Sequence, residues 1–174
     1  MARSVAHRHS PGAAAVRSCR AAGWRARGRI AWAMSTLEGH CMCGNVRYTV
    51  DDGTDPLMTV VCHCTVCQRQ SGAPFSLNVV LPEATVHVSG PTVGEYETTS
   101  EETSTPVQRR FCTNCGSPIL SVLGSMPGIV AIKAGTLADK SGLEPTAEVW
   151  ARSKQAWVET NDDLGVFQTG FRTD

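Results

Sequence analysis

Seven cysteines gathered in three tight clusters constrain this chain more than any other feature. They read Cys41-x-Cys43, Cys62-x-Cys64-x-x-Cys67 and Cys112-x-x-Cys115, while an eighth, Cys19, stands alone upstream. Thiols this closely spaced serve as disulfides, redox pairs or metal ligands. The disulfide scaffold of a secreted domain calls for a signal peptide. The apolar runs in residues 1–33, such as Ala13-Ala14-Ala15-Val16, are at most four residues long, well short of the ~7–15 residues such a peptide needs. Metal ligation is therefore the expected role of the clusters, and Cys19 is expected to be silent.

Four thiolates hold zinc in a tetrahedron with sulfurs about 2.3 Å from the metal. Two short-spaced pairs from distant segments meet that need. Cys112-Thr113-Asn114-Cys115-Gly116 has the form of a zinc knuckle, and its glycine lets the backbone turn through positive φ. Cys41-Met42-Cys43-Gly44 closes in the same way. Pairing the two gives a closed, structural site. It leaves Cys62, Cys64 and Cys67, three ligands with an open position, which is how catalytic zinc is held. Another split would lend one of these three to a different cluster. Seven ligands cannot complete two four-thiolate sites, so under any pairing one site is open or mixed. His63 lies between two ligands, and in an extended segment its side chain points opposite to theirs. It reads as a supporting or packing group, with ligation as the other reading; His40 has the same ambiguity.

The rest of the chain divides near residue 34. Residues 1–33 hold seven arginines and no acidic residue, which leaves nine basic groups against sixteen acidic ones in the remainder. An acidic body of that kind argues against non-specific nucleic-acid binding, except through the basic leader. The leader reads as a disordered segment ahead of a true start at Met34, as a transit peptide, or as a basic arm touching nucleic acid or phospholipid. Residues 34–174 form the expected zinc-binding domain. The expected location is cytoplasmic, or mitochondrial if the leader is a transit peptide. No run approaches the ~20 apolar residues of a membrane-spanning helix. Short strand-like runs at 46–50, 57–62, 75–81, 85–89, 107–112, 119–123 and 129–134 are separated by turn residues. Helix is expected only near 65–70 and 137–141. The fold class is therefore mainly β, an antiparallel architecture with very little helix. Trp150, Trp157, Phe167 and Phe171 are expected to pack over the sheet.

Three segments resemble one family. They are Gly39-His40-Cys41-Met42-Cys43-Gly44-Asn45-Val46-Arg47-Tyr48, then Cys62-His63-Cys64-Thr65-Val66-Cys67-Gln68-Arg69-Gln70-Ser71-Gly72-Ala73-Pro74-Phe75, then Phe111-Cys112-Thr113-Asn114-Cys115-Gly116-Ser117-Pro118-Ile119. In this order and with all seven cysteines they resemble the glutathione-dependent formaldehyde-activating enzyme family, which also includes centromere protein V. The resemblance spans about residues 36–165. It implies a β-tent-like zinc-binding fold with two Zn²⁺ per chain. One would be structural, on Cys41, Cys43, Cys112 and Cys115, and one catalytic, on Cys62, Cys64 and Cys67. It also implies S-(hydroxymethyl)glutathione synthase-like chemistry, of the carbon–sulfur lyase class. Where the family often carries a histidine, this chain has Glu148.

The chemistry of the middle cluster agrees with that implication. Three thiolates on Zn²⁺ leave a net charge near −1 and make the metal a poor ioniser of water, better suited to capturing a thiol. The expected reaction is addition of a bound thiolate to a small aldehyde, or its reverse, with glutathione and formaldehyde as the pair the resemblance supplies. Neither a Ser-His-Asp set, a P-loop nor a G-x-G-x-x-G suggests other chemistry. Arg69 and Ser71 flank the cluster and are expected to bind an anionic thiol, against the plainer reading of Arg69 as a solvated residue. Phe75 reads as core. The alternative function is a non-catalytic zinc-stabilised binding module with a basic arm. A methionine sulfoxide reductase would need a spare nucleophilic cysteine, and only Cys19 is spare. Oligomeric state is not legible.

Overall fold

The computed structural model describes residues 37–100, 103–160 and 163–171, so the leader, its boundary at Met34 and Cys19 lie outside the described residues. Eleven strands occur, β1 Glu38–His40, β2 Arg47–Val50, β3 Met58–Cys62, β4 Ser76–Pro82, β5 Val86–Ser89, β6 Val93–Thr99, β7 Pro106–Cys112, β8 Pro118–Leu123, β9 Ile129–Lys133, β10 Ala147–Val149 and β11 Gly165–Val166. Helix α1, Thr65–Ser71, follows β3. The architecture is mainly β, with β1-β2-β5 in one sheet and β11-β10-β3-β4-β9-β8-β7-β6 in the other.

The order of burial follows from the period of two along a strand. In β4, Val79 and Leu81 point to one face of the large sheet and pack with Tyr48, Val50 and Ile132; Tyr48 and Val50 come from the small sheet. Val80 points to the other face, among Met58, Val60 and Val149. Both faces of the central strands are covered. That is why β9 is buried along its whole length and reads as an unbroken apolar run closed by a lysine.

Two expectations need correction. The large sheet is not purely antiparallel, because β10 pairs parallel with both β3 and β11. Its register sets Val149 beside Cys62, so a late segment is placed against the middle cysteine cluster. The helix expected at 137–141 is absent. A 3-10 turn, Ala134–Thr136, leads into Leu137, which bridges to Gly39. Asp139 Oδ1 accepts the backbone N–H of Ser141 at 2.9 Å, offering the chain a local bond in place of a helical one. Of the tail aromatics, Trp150, Phe167 and Phe171 pack against the apolar group of Met58, Val60, Val80 and Val149, whereas Trp157 is 72% exposed. Among the described residues no helix is long and apolar enough to cross a membrane.

Candidate functional site

The outer two clusters meet. Cys41 and Cys43 sit in the turn between β1 and β2, and Cys112 and Cys115 flank the turn between β7 and β8. Their four sulfurs lie within 4.8 Å of one another. Each turn closes with a glycine at positive φ, Gly44 at 77° and Gly116 at 74°. A β-bulge between Arg110 and Phe111 precedes Cys112 and resets its direction. Sulfurs around a tetrahedral zinc-sized ion are spaced about 3.8 Å apart, given bonds of about 2.3 Å. Cys41 to Cys43 measures 3.4 Å and Cys43 to Cys112 3.7 Å, so the donor set fits such an ion. Donors around it favour thiolates. The N–H of Val46 points at Cys41 Sγ at 3.2 Å. The Ser117 hydroxyl draws the Cys115 thiol down to about 5. The Thr92 hydroxyl, 3.1 Å from Cys112 Sγ, lowers that thiol also.

The middle cluster is separate. Cys62 ends β3, Cys64 caps α1, and Cys67 lies in its first turn; their three sulfurs lie within 4.8 Å of one another. Cys64 Sγ accepts the backbone N–H of Cys67 at 3.2 Å, which curls the loop around one point. Hydrogen bonds to Cys64 and Cys67 push the Cys62 thiol well up. Those from Cys62 and Cys64 pull Cys67 down to about 2, helped by the charges of Lys133 and Arg109. Opposite shifts in touching thiols mark sulfurs that share protons, a role a divalent cation takes over. This donor set likewise fits a metal, with one position left for a ligand.

All three cysteines line a cavity of about 200 Å³ on the face of the large sheet away from the small one. Its apolar wall includes Met58, Val60, Val80 and Phe171, and its cations are Lys133, Arg109 and Arg152. Lys133 is 6% exposed and donates to Asn78 Oδ1 at 2.9 Å and Ser76 Oγ at 3.3 Å. Burial lowers its ammonium below the usual range. Arg109, 8% exposed, donates to Thr98 Oγ1, Gln70 Oε1 and Ser121 Oγ. Neither cation meets a carboxylate among the described residues.

His63 faces away from the sulfurs. It is fully buried, donates Nε2–H to Glu148 Oε1 at 3.1 Å, and meets Phe75 edge to face at 5.8 Å. Its Nδ1 is buried without a partner. Arg69 is exposed and does not line the cavity. The Ser71 hydroxyl donates to the Cys67 carbonyl at 2.9 Å and lines a different pocket. Sequence reasoning missed these cations because Lys133 ends one strand, Arg109 interrupts another and Arg152 sits in a 3-10 turn, all far from the motif. A lysine closing a buried run was the available signal for Lys133.

A family model and a curated relative carry the same family description. The family model described as glutathione-dependent formaldehyde-activating enzyme matches residues 36–153. A protein of Halomonas elongata whose name carries the same description is 26% identical over 126 residues, covering 71% of this chain and 80% of its own length. A crystal structure of a Rhodobacter sphaeroides protein superposes with a TM-score of 0.48 at 21% identity, over 62% of this chain and 91% of that one.

Proposed function

Since the chain belongs to the glutathione-dependent formaldehyde-activating enzyme family, we propose that it joins a small thiol to a small aldehyde in the cavity of Cys62, Cys64 and Cys67. The pair is glutathione and formaldehyde, and the class is carbon–sulfur lyase, of the S-(hydroxymethyl)glutathione synthase type. The observation that carries this reading is an incomplete sulfur set opening into a cavity, beside a complete set that does not line it. The complete set is assigned a structural zinc and the incomplete one a catalytic zinc. Zinc at the open set supplies a thiolate at neutral pH by lowering the pKa of a coordinated thiol.

The chain's own groups prepare the rest. Cys62, Cys64 and Cys67 would hold the metal, and all three line the cavity in which a thiol would meet it. Three cysteine thiolates and an incoming thiolate around a divalent ion would sum to a charge of −2, which Lys133 and Arg109 would offset. A neutral ligand would leave one buried cation unbalanced, so the pair favours the anion. The apolar wall excludes water from the sulfur and strengthens those charges. The thiolate sulfur then attacks the aldehyde carbon and a C–S bond forms. The C=O π pair moves to oxygen, which takes a proton from solvent at the cavity mouth. The reverse breaks the C–S bond, which is the lyase sense.

Cobalt substitution tests this, because each added thiolate strengthens sulfur-to-metal absorption. Glutathione titrated into the cobalt protein should raise that absorption, and S-methylglutathione should not. Cys64→Ser should remove the response and leave the protein folded. An unchanged spectrum with glutathione, cysteine and 2-mercaptoethanol alike would remove the basis of the mechanism.

A further inference from the structure

Trp150 adopts a left-handed backbone, φ 60° and ψ 36°, in a region where large side chains are uncommon. Three bonds hold it there. Its N–H donates to the Thr169 carbonyl at 3.0 Å, Ala151 N–H to the Phe167 carbonyl at 3.0 Å, and Ser153 N–H to the Trp150 carbonyl at 2.9 Å. The outcome is that Trp150 and Arg152 both line the cavity of the three cysteines, with the guanidinium carbon 4.7 Å from the indole ring. Strain retained at a cavity wall is a pointer to a positioned group.

The same turn is fixed relative to the sulfurs. The Gln68 amide nitrogen donates both to the His63 carbonyl at 2.7 Å and to the Ser153 carbonyl at 3.1 Å. One side chain therefore ties the cysteine loop to the Arg152 turn. Arg152 makes no ion pair among the described residues. Lys133 and Arg109 are buried and already offset the thiolates, whereas Arg152 is exposed and surplus to that balance. A guanidinium lying on an aromatic face keeps its in-plane N–H edge available, in the fork that matches a carboxylate.

We propose that Arg152, held on the face of Trp150, is a specificity-determining residue that takes a carboxylate of the incoming thiol, so that the cavity selects carboxylate-bearing thiols over neutral ones. The proposal rests on the thiol reading above and adds to it the residue that sorts thiols by charge.

The experiment compares glutathione with 2-mercaptoethanol as ligands of the cobalt protein, in wild type, Arg152→Gln and Arg152→Lys. With Arg152→Gln the Kd for glutathione should rise about 10- to 100-fold, the range of a lost charge-assisted bond. The Kd for 2-mercaptoethanol should stay within about twofold, and the melting temperature should not move. Arg152→Lys should recover part of the loss, since charge returns without the fork. A glutathione Kd that moves less than twofold, or an equal weakening of both thiols, overturns the role of Arg152 while leaving the thiol reading intact. No response to either thiol in wild type overturns both.

Discussion

Glu148 is 2% exposed, yet its carboxylate accepts from His63 Nε2 at 3.1 Å and from Lys154 Nζ at 2.9 and 3.2 Å. Burial alone would raise it, but the bonds from Thr160, Lys154 and His63 outweigh that and hold it below the usual carboxylate range. A carboxyl lowered on folding binds fewer protons when native than when unfolded. Its stabilisation is complete above the unfolded pKa, near pH 4.5, and is lost as pH falls through the lower native value. Glu148→Gln should therefore lower the melting temperature at pH 7 and narrow the gap to wild type below about pH 4. Melting curves across pH check this, and a gap that widens in acid would contradict it. The sequence shows Glu148 only as a departure from a family pattern. Its partner, 85 positions away, becomes visible only when β10 lies beside β3. By contrast, that His63 turns away from the sulfurs followed from strand geometry alone.

Gln68 illustrates what α1 does beyond carrying Cys67. With Gln68→Ala the His63 and Ser153 carbonyls each lose a donor. That should cost about 1–3 kcal/mol, read from denaturant midpoints at an unchanged m-value. A loss below about 0.5 kcal/mol would mean water replaces the amide. Helix α1 and seven strands were legible, and five of those strand runs end at Gly, Pro or Asp. The other four strands were not. β1 is three residues long with a central glycine, and β11 has only two. β6 is the sheet edge, and its Val-Gly-Glu-Tyr-Glu-Thr-Thr has no apolar face to detect. β10 hides a buried glutamate in an otherwise apolar triplet. Lys133 and Arg109 escaped for the same reason, since each is placed by strand pairing, whereas Arg152 is placed by the turn that follows the left-handed Trp150.

On the proposed assignment the two sulfur sets divide the molecule's dependence on metal. The outer set joins the β1–β2 turn to the β7–β8 turn, and structural zinc of this kind supplies on the order of 10 kcal/mol of folding energy. Cys112→Ser should therefore unfold the domain, whereas Cys64→Ser should leave a folded protein with one metal. A mild chelator should release one equivalent well before the second. Native mass spectrometry counts both, and a single metal in fully loaded, folded protein would refute the assignment. The 69 residues that separate Cys43 from Cys112 also have a consequence during synthesis. At ~5–20 residues per second the first pair of thiols waits roughly 3–14 s for its partners. Cys62, Cys64 and Cys67 leave the ribosome within six residues of one another, so theirs is the first set a nascent chain presents with all of its own members. On the proposed assignment metal would then be acquired in the reverse order of its hold, the looser centre filling early and the tighter one closing only after Cys115 has emerged.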